Sequence, residues 1–192
     1  MNYPEYIEVS NKKYKINTDF RVAIECNRIA QDETIGNFER SLAIIYMLLG
    51  EQALNDFNNH DKILKLIKKY LLCNKEYKSE GIPDMDFEED MDYIEASFMS
   101  DYHIDLTNTN MHWWKFWNLM NGLSNSELGN CCVLNNIRNL RNFDVTKIKD
   151  DKERQKILKA KEDVALKKYK KENNITEEQQ KSMDELNKLL NL

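Results

Sequence analysis

Apolar residues in this chain recur mostly at intervals of three and four, the spacing that lines one face of an α-helix. The first segment differs. Tyr6-Ile7-Glu8-Val9 and Tyr14-Lys15-Ile16 are short, aromatic and β-branched, and they flank the polar Ser10-Asn11-Lys12-Lys13. That pattern predicts a small hairpin. A lone hairpin is marginal in water, so it should lie on the helices. Asn17 or Thr18 can cap a first helix through about Asp32, with Phe20, Ala23, Ile24 and Asn27 on one face and Gly36 marking the break. Phe38, Leu42, Ile45 and Leu49 define a second, and Gly50 stands where a helix C-terminus often needs a left-handed residue.

The third helix is expected from about Asn59 to Leu72, with Ile63, Leu64, Ile67, Tyr70 and Leu71 inward and Lys62, Lys65, Lys68 and Lys69 in water. Gly81-Ile82-Pro83-Asp84 interrupts the pattern, so residues 73 to 85 read as a loop and the next helix should begin near Asp86. Its early carboxylates suit the positive end of a helix, while Ile94, Phe98 and Tyr102 supply an inward stripe. After the polar Thr107-Asn108-Thr109-Asn110 comes the most distinctive run, Met111 to Leu123, in which Trp113, Phe116, Trp117, Met120 and Leu123 share one broad face. Trp114 points about 140° from the centre of that arc, so it either packs under a second layer or faces solvent as a partner anchor. Ser124-x-x-Glu127 has the form of a capping box and predicts a further helix carrying Leu128, Cys131, Cys132 and Ile137 inward.

The core region should end near Phe143. From Val145 to Glu172 there are eleven Lys or Arg against six Asp or Glu, an excess of five, with few large apolar residues. This stretch reads as a solvated helix or a mobile arm. Thr176-Glu177-Glu178-Gln179 offers another capping box, and Met183, Leu186, Leu189 and Leu190 give a last short helix an apolar side. The fold class is therefore mainly α: a helical bundle with a short N-terminal β-hairpin over residues 1–143 and a charged helical extension over 144–192. The opposed charges of residues 84–105 and 145–172 can attract within one molecule or between copies.

Composition narrows the function. With 41% hydrophobic and 32% charged residues, five Gly and two Pro, the chain has material for a core but not the turns of a β-sandwich. The formal net charge of −5 argues against general nucleic-acid binding. Neither a secretory signal nor a run of about 18 apolar residues occurs, so a cytoplasmic protein that spans no membrane is expected. Cys26, Cys73, Cys131 and Cys132 lack zinc-site spacing and read as reduced, mainly buried thiols.

Asp84, Asp86, Glu88, Asp90, Asp92 and Glu95 approach the ligand spacing of a calcium-binding EF-hand loop, but Glu89 stands where the turn requires Gly. A solvated acidic helix start is the better reading. Asp101, His103, Asp105 and His112 do not make a catalytic group by spacing alone, and His112 reads as a packed or capping residue. No phosphate-binding or nucleophile-elbow motif occurs. A binding protein without cofactor or metal is expected, not an enzyme.

Tyr6-Ile7-Glu8-Val9 through Lys13-Tyr14-Lys15-Ile16-Asn17-Thr18-Asp19-Phe20-Arg21, Ile94-Glu95-Ala96-Ser97-Phe98 with Tyr102-His103-Ile104-Asp105-Leu106, and His112-Trp113-Trp114-Lys115-Phe116 with Leu119, Gly122 and Leu123 carry a further signal. Over roughly residues 5 to 170 the chain resembles the bacteriophage gene-product-fifteen family. That family is encoded in the tail-gene region of long-tailed phages and prophages of Gram-positive bacteria. The resemblance implies a tail assembly chaperone in the cytoplasm of the bacterial host, coating the helical tape-measure protein in multiple copies, hence a homo-oligomer. It brings no catalytic residues. Trp114, Met183, Leu186 and Leu190 are the candidate partner-binding residues, because the predicted core does not need them. Other readings are a structural virion component, such as a tail-completion or head–tail connector subunit, and a nucleic-acid-binding regulator using the basic arm.

Overall fold

The computed structural model describes residues 2–76, 83–125 and 131–170. The fold is mainly α, with one two-stranded antiparallel hairpin, β1 (Tyr6–Val9) and β2 (Lys12–Lys15). Ser10 and Asn11 take φ of 49° and 63°, so the loop is a two-residue turn and Lys12 and Lys13 belong to the strand. That backbone twist matches the strands it joins. Ile7, Val9 and Tyr14 alternate inward onto the helices, and Ile16 continues the buried set. Beneath them the Tyr14 hydroxyl donates to Asp56, which also receives Asn59 Nδ2 at 2.8 Å and pairs with Lys12 at 3.1 Å.

Four helices follow the expected order, α1 (Phe20–Gln31), α2 (Asn37–Leu49), α4 (His60–Leu71) and α5 (Met91–Tyr102), and a single turn that was not expected, α3 (Glu51–Leu54), stands between α2 and α4. Asp19 caps α1, and Gly50 ends α2 at φ 77°, a conformation that favours glycine. In α1 the buried side is Phe20, Ala23, Cys26 and Ile29. Ile24 and Asn27 sit at its edge and line a groove described below. Helix α2 keeps Ile45 and Leu49 of the expected face and corrects Phe38. It buries Ile44, Ile45, Leu48 and Leu49, while Phe38 is 65% exposed because the first turns of α2 project past the core. Helix α4 buries Ile63, Ile67 and Tyr70, with Lys62, Lys65, Lys68 and Lys69 outward.

Helix α5 begins at Met91, five residues later than its carboxylates suggest. Asp86 accepts the N–H groups of Glu88 and Glu89, and Asp90 N–H returns to the Asp86 carbonyl, so residues 86–90 form a turn of their own. Ile94, Ser97 and Phe98 are the buried side of α5. The aromatic run forms α6 (Trp113–Asn121), capped by His112, whose Nδ1 accepts the Trp114 N–H at 3.0 Å. Phe20 N–H to the Met111 carbonyl and Trp113 N–H to the Thr18 carbonyl set the starts of α1 and α6 side by side.

The helix expected from Ser124 starts instead at Val133, as α7 (Val133–Asn142). Ser124 is drawn away from a capping role, for its N–H donates to Asp101 at 2.7 Å and its carbonyl receives Cys132 N–H and Asn135 Nδ2. Cys132 Sγ caps α7 in its place. Glu127 and Leu128 lie outside the described residues. The Ser97 hydroxyl accepts Leu134 N–H and donates to the Tyr93 carbonyl, joining α5 to α7. The basic stretch supplies α8 (Asp151–Asp163), with no buried residue, and one turn, α9 (Lys167–Lys170). No described helix is long and apolar enough to cross a membrane.

Candidate partner-docking groove

The aromatic residues of α6 build outward from a stacked centre. Phe116 stacks between Phe20 and Phe98 with ring centroids 4.6 and 5.2 Å away, and Trp113 lies 5.7 Å from it. Trp113 Nε1 donates to the Leu71 carbonyl at 3.0 Å and Trp114 Nε1 to the Tyr70 carbonyl at 2.9 Å. The last carbonyls of a helix lack intrahelical donors; Trp113 supplies one to Leu71, and Trp114 joins Cys73 N–H at Tyr70, at the end of α4. Trp114 is thus partly buried and stacked on Tyr70 at 6.1 Å. His112 adds a contact from Nε2 to the Pro4 carbonyl at 3.1 Å, and Tyr3 stacks on its ring.

The acidic turn 84–90 is held from the other side by arginines of α7. Asp90 is fully buried and meets Arg141 in a two-pronged pair, with both N–O distances 2.7 Å. The remaining Arg141 donors reach the Asp84 carbonyl at 2.9 Å and the Val164 carbonyl at 2.7 Å. Its planar fork therefore ties three chain segments, and the Asp90 hydrogen bonds push its pKa further up. Arg138 pairs with Asp84 at 3.2 Å. Glu89 receives the N–H groups of Lys167 and Lys168 at 2.7 and 2.8 Å, capping α9. Among the described residues, the contacts between the acidic segment and residues 145–170 include these two backbone hydrogen bonds to Glu89, the Arg141 bridge from α7, and one ion pair, Lys168 with Asp86 at 3.6 Å. These carboxylates serve their own arginines and amides, and no group of three or more His, Cys, Asp or Glu positioned for a metal occurs among the described residues.

Between α1, the acidic turn, α6 and the Lys168–Tyr169 step lies a groove of about 680 Å3. Its apolar lining includes Ile24, Met85, Phe87, Met91, Trp117 and Met120. Phe87 is the wedge that fixes it, with its ring 6.0 to 6.3 Å from Trp113, Phe116 and Trp117. Three methionines in one apolar groove make a surface that can adapt to partner side chains. Its rim is charged: Arg28 pairs with Glu25 and draws that carboxyl below its ordinary range. Lys168 reaches both Gln31 of α1 and Asp86 at 3.6 Å, so it straps one end of the groove.

Of the candidates read from sequence, Trp114 packs at the end of α4, and Trp117, one turn on, is the tryptophan that lines the groove. Met183, Leu186 and Leu190 lie outside the described residues. Met85, Phe87 and Met91 escaped notice because the acidic residues among them read as a helix start; the signal was these apolar residues, two and four positions apart, within that acidic run. Asp101 serves Ser124 N–H, which lowers its pKa, while Asp105 is engaged with Thr107 and Asn108. Cys26, Cys73 and Cys132 are buried free thiols, and burial pushes Cys26 up to about 12.

The family model described as Bacteriophage Gp15 protein matches residues 2–166, so the chain belongs to that family. No curated protein and no solved structure matched it.

Proposed function

We propose that this member of the bacteriophage Gp15 protein family assists phage tail assembly by holding an amphipathic helix of another tail protein, the tape-measure protein foremost, in the methionine-lined groove. The observation that carries the reading is the groove itself: an apolar, adaptable floor open at the surface, rimmed by fixed charges. Amphipathic helices are recognised by such a surface through anchors at three- and four-residue spacing. The activity is binding and shielding, without a reaction or cofactor, in the cytoplasm of the bacterial host. Charged rim residues set orientation, while the apolar floor supplies most of the affinity.

Co-expression of the full chain with the tape-measure protein encoded near it tests this reading. Co-elution is expected, with the tape-measure protein soluble only in the presence of this chain, and Met91→Glu should abolish it. An insoluble tape-measure protein with no co-purification would refute the chaperone role. A second reading is a structural virion component. Phe38 and Tyr46, 65% and 52% exposed on one side of α2 with Leu42 between them, favour it by offering a face for a permanent neighbour. Its presence in purified virions would separate the two.

A further inference from the structure

The charges around the groove do not balance. Four carboxylates and three cations line it, and six of the seven neutralise one another in pairs. Glu25 lies 2.5 Å from Arg28, Asp84 3.2 Å from Arg138 and Asp86 3.6 Å from Lys168. Glu88 is left over. Its side chain is exposed, and among the described residues no hydrogen bond or ion pair reaches its carboxylate. Arg28 lies within its field, but both prongs of that guanidinium are taken by Glu25.

The backbone adds charge of the same sign. Three helices end at the groove, α1 at Gln31, α4 at Leu71 and α6 at Asn121. The C-terminal end of a helix carries roughly half a negative charge. Lys68 and Lys69 of α4 are exposed on its outer side, and the last turn of α6 holds no basic residue. Two helices begin beside the groove, α5 at Met91 and the short α9 at Lys167. Carboxylates already meet their positive ends: Asp86 takes the N–H groups of Glu88 and Glu89 in the turn leading into α5, and Glu89 takes those of Lys167 and Lys168. A partner that brings only apolar atoms would leave Glu88 and these carbonyl ends facing it through a medium drier than water, where charge acts more strongly. We infer that the groove selects a basic amphipathic helix, one whose apolar anchors are bordered by Lys or Arg, with Glu88 as the residue that reads the cation. This deepens the docking reading above and rests on it. Lys and Arg suit the position because their aliphatic stems can cover the apolar lining while the charged head stays at the rim.

Two synthetic helices with the same leucine face, one bordered by lysines and the other by glutamates, test this by fluorescence anisotropy on the full chain. The lysine helix should bind about tenfold more tightly at low salt. That ratio should shrink in about 1 M salt, where the screening length falls to about 3 Å. The whole chain carries a formal net charge of −5, so local charge has to be separated from overall charge. Glu88→Lys and Glu8→Lys change the net charge equally, and Glu8 is exposed on the hairpin, outside the groove lining. Glu88→Lys should cut the preference for the lysine helix at least threefold, while Glu8→Lys should leave it unchanged. Equal affinity for the two helices would overturn the inference, as would an equal loss of preference in the two variants. In either case, binding that Met91→Glu abolishes would leave the docking reading standing. Failure of both helices to bind would overturn the docking reading, and this inference with it.

Discussion

The hairpin and α1 to α6 are joined by apolar side chains, whereas residues 145–170 are held to them by hydrogen bonds and ion pairs. In the first region Phe116, Phe98, Ile45 and Ile63 are fully buried; in the second, among the described residues, Leu166 alone is a buried apolar residue. Arg141, Glu89 and Lys168 do for the second region what Phe116 does for the first. The contrast shows how a charged extension can be positioned without a core of its own, and why the groove has one wall that depends on electrostatics.

The largest effect that would break this comparison is at Phe116. Phe116→Ala leaves a cavity at the centre of the aromatic stack and should cost about 3–5 kcal/mol. Chemical denaturation should show both regions unfolding together. Arg141→Leu strands the buried Asp90 carboxylate and should cost about 3–5 kcal/mol. Hydrogen exchange should then rise first in residues 145–170. Asp90→Leu with Arg141→Leu should recover most of the loss, because replacing both members of a buried pair is often near neutral. Recovery of stability without recovery of the Val164 contact would separate the pair's two roles.

A smaller loss is expected at the junction of α4 and α6. Trp114→Phe keeps an aromatic ring on Tyr70 but removes one of two donors to its carbonyl, the other being Cys73 N–H, and should cost about 1 kcal/mol. A pH-dependent effect is expected under the hairpin. The Tyr14 hydroxyl, with Asn59 and Lys12, holds Asp56 down at about 2, against an ordinary 3.8. Stability from that carboxylate is fully present above its ordinary range and is lost as pH falls toward 2. Burial, with Asp56 beside it, pushes Tyr14 up to about 12, so its contribution holds below about 10 and is lost as pH rises through 12. Asp56→Asn should flatten the acid limb of a stability-against-pH curve, and denaturation midpoints between pH 2 and 5 would read it.

What was legible in the sequence follows the same division. Ile63, Ile67 and Tyr70 in α4, and Trp113, Phe116 and Met120 in α6, were readable because their spacing alone fixes a face. The start of α5 was not. Its carboxylates suit a helix N-terminus, but Asp90 is claimed by Arg141, 51 residues away, and no local pattern carries that pairing. The start of α7 was misplaced for the same reason, since Ser124 is engaged by Asp101, 23 residues earlier. Phe38 matched the α2 periodicity, yet where a helix projects past its core, periodicity no longer implies burial. The groove arises where Ile24, Met91 and Trp117 from three helices meet, so Ile24 and Trp117 were visible singly while Met91 and the site were not.

The most direct test of the central claim is photo-crosslinking in cells that co-express this chain with the tape-measure protein. A photoreactive phenylalanine analogue would replace Met91 in the groove, Tyr46 on α2 or Leu158 on α8 in turn. The account predicts a crosslink to the tape-measure protein from position 91 and none from 46 or 158. A crosslink from position 46 with none from 91 would contradict it and move the docking surface to α2.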